Sequence, residues 1–152
     1  MNQVKIGIIG LGRMGRKHLR ELVACDFWDV KYVCDIDPDK ISYSKEIAPE
    51  AIFTTDEDEI FNDPEVECIG LYALADSRPG RIKKAIAHGK HVMCEKPLAY
   101  KMEDEFELVK LSKTTDKICT VNLYLRNAWY TKEMKDFIKS GEIGDVAIIR
   151  IS

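Results

Sequence analysis

The stretch that decides the fold is VKIGIIGLGRMG, residues 4–15. Its apolar first half, Val4–Ile9, predicts a buried strand, and three glycines with G-x-G-x-x-G spacing follow directly. A helical pattern with Leu19, Leu22 and Val23 on one face begins at the third glycine. A strand, a glycine turn and a helix in this order are typical of the first unit of a dinucleotide-binding βαβ fold.

Each glycine of this turn has a physical task. Gly10 permits the tight turn, Gly12 lets backbone N–H groups approach a diphosphate, and Gly15 allows close packing of helix on strand. The helix N-terminus adds partial positive charge for the anion. Arg13 either faces that anion or lies in solvent. We expect the whole turn to bind the diphosphate: Gly10, Leu11, Gly12, Arg13, Met14 and Gly15.

An acidic residue at the end of the second predicted strand indicates which dinucleotide binds. Asp35 follows Gly15 by 20 residues, the distance at which a carboxylate accepts hydrogen bonds from the adenosine ribose and repels a 2′-phosphate. We therefore expect NAD, with Ile36 beside it at the site. Lys40 lies near enough in sequence to soften the preference, which leaves NADP open. Asp37 could take the same role, although Asp37-Pro38 is more typical of a helix cap.

Short apolar runs alternate with helical patterns from residue 4 to residue 123. This alternation predicts parallel strands joined by right-handed helical crossovers, hence an α/β fold with a doubly wound parallel sheet. We interpret residues 1–123 as an NAD(P)-binding Rossmann domain.

The last thirty residues follow a different pattern. Tyr130–Ser140 reads as an amphipathic helix with Met134, Phe137 and Ile138 inward, and Val146–Ile151 reads as a new strand. One strand cannot complete a sheet. We therefore expect residues 124–152 to be a connecting helix and the first strand of a second α+β domain that binds the substrate. The sequence is then truncated at the start of that domain.

Composition excludes several classes of protein. Of the 152 residues 45% are hydrophobic and 32% charged, as in a globular domain, and the net charge of −3 argues against nucleic-acid binding. No apolar run approaches the ~18 residues of a membrane span, and no leader pattern opens the chain, so we expect a cytoplasmic protein. Four of the five cysteines, Cys34, Cys68, Cys94 and Cys119, fall in or beside apolar strand-like stretches, which predicts buried thiols rather than metal ligands or redox groups.

The most specific stretch is Gly89–Ala99, GKHVMCEKPLA, in which a strand ends in Glu95-Lys96-Pro97. In open α/β sheets that end of a strand faces the ligand crevice. Together with the glycine turn, this stretch resembles the glucose-fructose oxidoreductase/inositol dehydrogenase (Gfo/Idh/MocA) family. The resemblance includes the segment from Asn122 to Arg126 and the entry into the next domain at residues 140–146.

The resemblance implies hydride transfer between nicotinamide and a sugar, cyclitol or related hydroxyl or carbonyl substrate, by a full-length protein that we expect to form a homo-oligomer. It implies that Lys96 is catalytic and reaches both substrate and cofactor. Glu95 would hold the Lys96 ammonium or line the cofactor site, or the two would form an exposed ion pair. Asn122 and Arg126 are also expected near the cofactor. The sharp exit leads us to expect a cis Lys96–Pro97 bond.

One region departs from the family pattern, which usually has Thr-Pro and then a His after the fourth strand. Here Ala73 and Leu74 could contact the cofactor only through their backbone. Arg78 either donates to an anionic cofactor or substrate group, or caps a helix with its side chain in solvent. The chain has no obvious general base, since His18, His88 and His91 all read as structural.

Two other functions stay open on this departure. The chain could be a non-catalytic dinucleotide-binding module, such as a redox sensor or regulatory subunit, or a relative with another carbonyl substrate, such as a linear tetrapyrrole or amino-acid precursor. The leading interpretation is the cofactor-binding part of an oxidoreductase, which alone turns over little or nothing.

Overall fold

A computed structural model describes residues 3–148 and 150 of the chain. It divides after Asn122 into two compact units. The first contains six strands, β1 Val4–Ile9, β2 Trp28–Cys34, β3 Ile52–Thr54, β4 Cys68–Leu71, β5 His91–Cys94 and β6 Cys119–Val121. Its helices are α1 Arg13–Val23, α2 Pro38–Ser44, α3 Glu57–Asn62, α4 Arg78–Ala87 and α5 Met102–Thr114.

The strands form one parallel sheet in the order β3-β2-β1-β4-β5-β6. This is the order of the Rossmann fold, and the predicted α/β doubly wound sheet is confirmed. From β1 the chain adds β2 and β3 on one side of the sheet and then β4, β5 and β6 on the other, so the order of the strands reverses between β1 and β4. The loops that follow these two strands therefore diverge, and a crevice opens between them at the carboxyl ends.

Two apolar cores cover the two faces of the sheet. Leu19, Leu22 and Ile41 from α1 and α2 pack on one face. Residues of α3, α4 and α5, among them Ile82 and Leu108, pack on the other. This two-sided burial explains why the central strands read as continuous apolar runs rather than as an alternating pattern.

The second unit has a short 3₁₀ helix, Tyr124–Arg126, and α6, Trp129–Ser140. The predicted inward packing of Met134, Phe137 and Ile138 is wrong for this unit, since α6 buries none of its residues. A helix buries its apolar stripe only against another element, and the described part of this unit offers none.

The predicted strand over Val146–Ile151 is not formed over residues 146–148 or at Arg150; Ile149 and Ile151 lie outside the described residues. A lone strand without a pairing partner is not stable. No helix in the described ranges is both long and apolar enough to cross a membrane.

Candidate cofactor site

A cleft of about 640 Å³ lies at the carboxyl ends of the central strands. Its size falls in the range of ~300–1,000 Å³ that is usual for small-molecule and cofactor sites. Six of the predicted cofactor residues line it: Gly10, Gly12, Asp35, Ile36, Ala73 and Leu74. The structure thus brings the glycine turn, the end of β2 and the loop after β4 together around one space.

The glycine turn forms the head of this cleft. Gly10 has φ +98°, and a Cβ there would lie 2.4 Å from the Ala73 nitrogen. A Cβ at Gly15 would lie 1.8 Å from the Gly10 carbonyl oxygen, so α1 packs too closely on the turn for any side chain. A Cβ at Gly12, by contrast, meets nothing within 4 Å. The protein therefore leaves open the space in front of Gly12.

No side chain caps the N-terminus of α1. Its N-cap is Gly12, and the first turn contains no acidic residue. Helices α2 and α3 instead begin at Asp37 and Asp56, whose carboxylates accept from backbone N–H groups two residues later. The first N–H groups of a helix need acceptors and favour negative charge. A diphosphate placed before Gly12 supplies both, so the turn fits the predicted group.

Asp35 is 7% exposed at the end of β2, and both of its carboxylate oxygens accept hydrogen bonds. Oδ2 accepts from the Leu11 N–H at 2.6 Å, and Oδ1 accepts from the Asp37 N–H at 2.9 Å. The Lys40 Nζ lies 3.5 Å from Oδ1. Asp35 therefore fixes the glycine turn as well as lining the cleft. Asp37 caps α2, as its Asp-Pro context predicted.

Arg81 and Glu57 form part of the cleft wall that the sequence analysis missed. The Arg81 Nε donates to Glu57 Oε2 at 2.6 Å, which ties α4 to α3 at the wall of the cleft. Lys40 also lines the cleft. Their spacing in sequence matches no motif, and only the folded sheet brings the segments that carry them to one cleft.

Glu95, at the end of β5, is 6% exposed and belongs to a polar cluster. Its Oε1 accepts from His18 Nε2 at 2.8 Å and from Asn122 Nδ2 at 2.5 Å. Burial acts to raise the pKa of Glu95, but the hydrogen bonds from Asn122 and His18 outweigh it and lower the pKa overall. From the sequence, only a structural role was predicted for His18. Its position three residues after Gly15, on the same helix face, is the signal that places it near the sheet end.

Lys96 contacts Glu95 only through its backbone. The Lys96 N–H lies 3.3 Å from Glu95 Oε2, whereas the Lys96 side chain is exposed. The expectations that Glu95 holds the Lys96 ammonium, or forms an exposed ion pair with it, are therefore wrong, because the buried carboxylate is occupied by His18 and Asn122. The Lys96–Pro97 peptide bond is cis, as predicted.

Arg78 is 4% exposed, which overturns the alternative that placed its side chain in solvent. One guanidinium nitrogen, Nη1, donates to the Pro97 carbonyl, and Nη2 donates to the Ala73 carbonyl at 2.7 Å. Burial lowers the pKa of Arg78 from its ordinary value. Since both Nη groups bind backbone, the side chain joins the loops after β4 and β5, and its predicted contact with an anionic group gains no support from this geometry.

The remaining predicted residues lie outside the cleft lining. Leu11 is buried and contributes its N–H to Asp35, Met14 is half-buried, and Arg13 is exposed at the start of α1. Arg126 is exposed in the second unit. The other two histidines make local contacts with backbone, His88 Nδ1 with the Lys84 carbonyl and His91 Nδ1 with the Ile118 N–H.

Comparison with known proteins identifies the family. A family model described as the Gfo/Idh/MocA oxidoreductase family, NAD-binding Rossmann fold, matches residues 4–123. The myo-inositol 2-dehydrogenase of Thermotoga maritima is 27% identical over 98% of this chain and 45% of its own length. The scyllo-inositol 2-dehydrogenase (NAD(+)) of Bacillus subtilis is 30% identical over 94% of this chain and 42% of its own length.

A solved structure shows the same fold. The crystal structure of myo-inositol 2-dehydrogenase from Lactobacillus plantarum superposes with a TM-score of 0.87 and 25% identity, over 95% of this chain and 43% of that one. The chain spans less than half the length of the curated relatives it matches. With its glycine turn, its sheet order and the family match over residues 4–123, the chain belongs to the Gfo/Idh/MocA oxidoreductase family and contains its NAD-binding domain.

Proposed function

We propose that this chain is the cofactor-binding portion of an oxidoreductase that transfers hydride between NAD and a sugar, a cyclitol or a related hydroxyl or carbonyl compound. The observation that carries the proposal is the uncapped N-terminus of α1 behind Gly12, at the head of a cleft of about 640 Å³. The inositol dehydrogenases among the relatives support the substrate class.

NAD, when bound, supplies the nicotinamide ring that accepts or gives the hydride. In our proposal the N–H groups from Gly12 onward hold its diphosphate, and Asp35 accepts from the adenosine ribose while disfavouring a 2′-phosphate. The backbone of Ala73 and Leu74 lines the cleft beyond the turn. NAD is therefore preferred over NADP.

Lys96 is the proposed catalytic residue of this chain. It follows β5 at the sheet end that faces the crevice in doubly wound folds, and its side chain is exposed. Its ammonium would donate to the reacting oxygen of the substrate and stabilise the negative charge that develops there. The base that takes the hydroxyl proton is proposed to lie in a second domain, because the family model ends at residue 123 and the relatives are more than twice as long.

Residues 124–152 are proposed to lead into that second domain. The exposed apolar residues of α6, among them Trp129 and Phe137, support this, since a helix with an apolar stripe is stable when another element covers it. The domain boundary then falls at residue 123, one residue from the division between the two compact units.

NADH titration of the purified chain, followed by nicotinamide fluorescence, tests the proposal. Gly12→Val should weaken binding by at least about tenfold, because the added side chain enters the diphosphate space, where a Cβ meets no protein atom within 4 Å. Gly80→Val is the matched control, since a Cβ there also meets nothing within 4 Å but lies on α4. Equal affinity of wild type and Gly12→Val, or no NADH binding at all, contradicts the proposal.

A further inference from the structure

We propose that His18 is a positioning residue for Lys96, acting through Glu95, so that the helix behind the diphosphate turn also sets the backbone of the catalytic segment. This inference rests on the proposed function of Lys96. It assigns a role to a polar cluster, His18, Glu95 and Asn122, that lies beside the cofactor cleft without lining it.

The cluster joins distant parts of the chain at one end of the sheet. His18 lies on α1, Glu95 ends β5, and Asn122 follows β6. The Asn122 Nδ2 lies 3.0 Å from His18 Nε2 and 2.5 Å from Glu95 Oε1, so the three side chains meet at one carboxylate oxygen. The other oxygen, Oε2, accepts from the Lys96 N–H at 3.3 Å. A rotation of the Glu95 carboxylate therefore changes the contact that orients Lys96.

His18 faces a carboxylate with each of its ring nitrogens. Nε2 lies 2.8 Å from Glu95 Oε1, and Nδ1 lies 2.9 Å from Glu21 Oε2. An ionised carboxylate only accepts hydrogen bonds, so the ring donates to Glu95 through an Nε2–H, and the neighbouring Asn122 amide donates to Glu95 Oε1 rather than to the ring. The side chain of the inner partner, Glu95, is 7% exposed, whereas the side chain of Glu21 is 55% exposed and also lies 3.7 Å from Lys17 Nζ. The His18 ring is therefore held more firmly on its Glu95 side, which is buried, than on its Glu21 side.

Tyr72 closes the cluster on its apolar side. Its ring stacks on His18 with centroids 4.7 Å apart and planes 17° from parallel. Packing on Tyr72 needs an aromatic ring, but the contact with Glu95 needs a donor. Replacing His18 by Phe keeps the ring and removes the donor, whereas replacing it by Gln keeps a donor near the Nε2 position and removes the ring. These two variants separate packing from positioning.

The test follows the Lys96 amide in the isotope-labelled chain by NMR, without cofactor. His18→Phe should reduce the hydrogen-exchange protection of the Lys96 N–H by about threefold to tenfold, the factor that one hydrogen bond contributes. His18→Gln should restore most of it. Glu21→Gln, which changes only the exposed partner of the ring, should leave it unchanged. Unaltered Lys96 protection in His18→Phe, or equal loss in the Phe and Gln variants, overturns the proposal.

A second measurement needs no variant, in case His18→Phe does not fold. When the wild-type chain is titrated with acid and base, the Lys96 amide resonance should move with the same midpoint as the His18 ring resonances. The other titratable groups facing the ring are Glu21, Glu95 and Tyr72, and their own resonances identify any shift they cause. A Lys96 amide resonance that does not move at the midpoint of the His18 ring resonances overturns the proposal. Failure of NADH to bind instead contradicts the proposed function and leaves both amide measurements valid.

Discussion

The backbone N–H of Leu11 donates a 2.6 Å hydrogen bond to Asp35 Oδ2 across 24 residues of sequence. Asp35, the carboxylate that we propose accepts from the adenosine ribose, therefore also holds the glycine turn in place. Its second oxygen, occupied by the Asp37 N–H, fixes the start of α2 in the same way. Cofactor preference and the shape of the turn are consequently linked through one buried side chain.

This linkage predicts different results for two substitutions of Asp35. Asp35→Asn keeps an oxygen for the Leu11 N–H but removes the negative charge, so the ratio of NADPH to NADH affinity should rise about tenfold. Asp35→Ala should in addition lower the free energy of unfolding by ~1–3 kcal/mol, because it leaves two backbone donors without their acceptor. Fluorescence titration and urea denaturation measure the two effects. Asp37→Asn, on an exposed cap, is the control, and an unchanged affinity ratio in Asp35→Asn removes the basis for the NAD preference.

Gly15→Ala tests the close approach of α1 to the turn. Its added methyl would lie 1.8 Å from the Gly10 carbonyl oxygen, so the helix must shift. We expect a loss of unfolding free energy of ~1–3 kcal/mol, the usual cost of overpacking, together with weaker NADH binding. Thermal denaturation gives the stability. Gly80→Ala should stabilise slightly, since alanine favours a helix over glycine, and an unchanged melting temperature in Gly15→Ala contradicts the close packing.

Arg78→Met tests the connection between the loops after β4 and β5. The substitution keeps much of the buried apolar stem but leaves the Ala73 and Pro97 carbonyls without their donors. We expect a destabilisation of ~2–4 kcal/mol in urea denaturation, and weaker NADH binding because Ala73 lines the cleft. Arg78→Lys has one ammonium for two carbonyls, so its free energy of unfolding should lie between those of wild type and Arg78→Met. A stable variant with normal NADH affinity contradicts this assignment.

The polar cluster around Glu95 predicts a specific dependence of stability on pH. The pKa of Glu95 is lowered from its ordinary value of 4.5, so its ionised form stabilises the folded state. This contribution is present above about pH 4.5 and is lost as pH falls through the folded-state value. Urea denaturation at pH 7 and in the acid range should show wild type losing its advantage over Glu95→Gln. An advantage that stays constant or grows in acid contradicts the assignment.

The cysteines should differ sharply in reactivity. Burial raises the pKa of Cys34 and of Cys68 to about 12 and that of Cys94 to about 11, whereas Cys25 is exposed. Because the thiolate is the reactive form, a thiol reagent at mildly alkaline pH should modify Cys25 rapidly in the native chain and the buried three only on unfolding. Cys25→Ser should remove the rapid phase. Rapid native modification of Cys34 would place the end of β2 in solvent.

Much of the fold could be predicted because its determinants are local. The glycine spacing at residues 10–15 directly predicts the backbone conformation of the turn. The alternation of apolar runs with helical patterns predicts a doubly wound parallel sheet. Asp37 and Pro38 predicted a cap that the structure contains. The cis bond before Pro97 was also expected from the exit of its strand.

The polar cluster and the buried arginine could not be predicted, because they depend on contacts between distant parts of the chain. His18 meets Glu95 across 77 residues, and no spacing rule within a helix or a strand relates the two. Arg78 was expected in solvent or at an anion, as charged side chains usually are. Its burial depends on two backbone carbonyls that become neighbours only when β4 and β5 pair.

The Arg78 guanidinium binds the backbone of both loops that follow the paired strands β4 and β5. The carbonyls of Ala73 and Pro97, in loops that follow different strands, accept hydrogen bonds from the same side chain. An engineer who grafts the loop after β4 from a relative must therefore transplant the Glu-Lys-Pro loop with it. In this chain the two loops must be exchanged together, because Arg78 connects them.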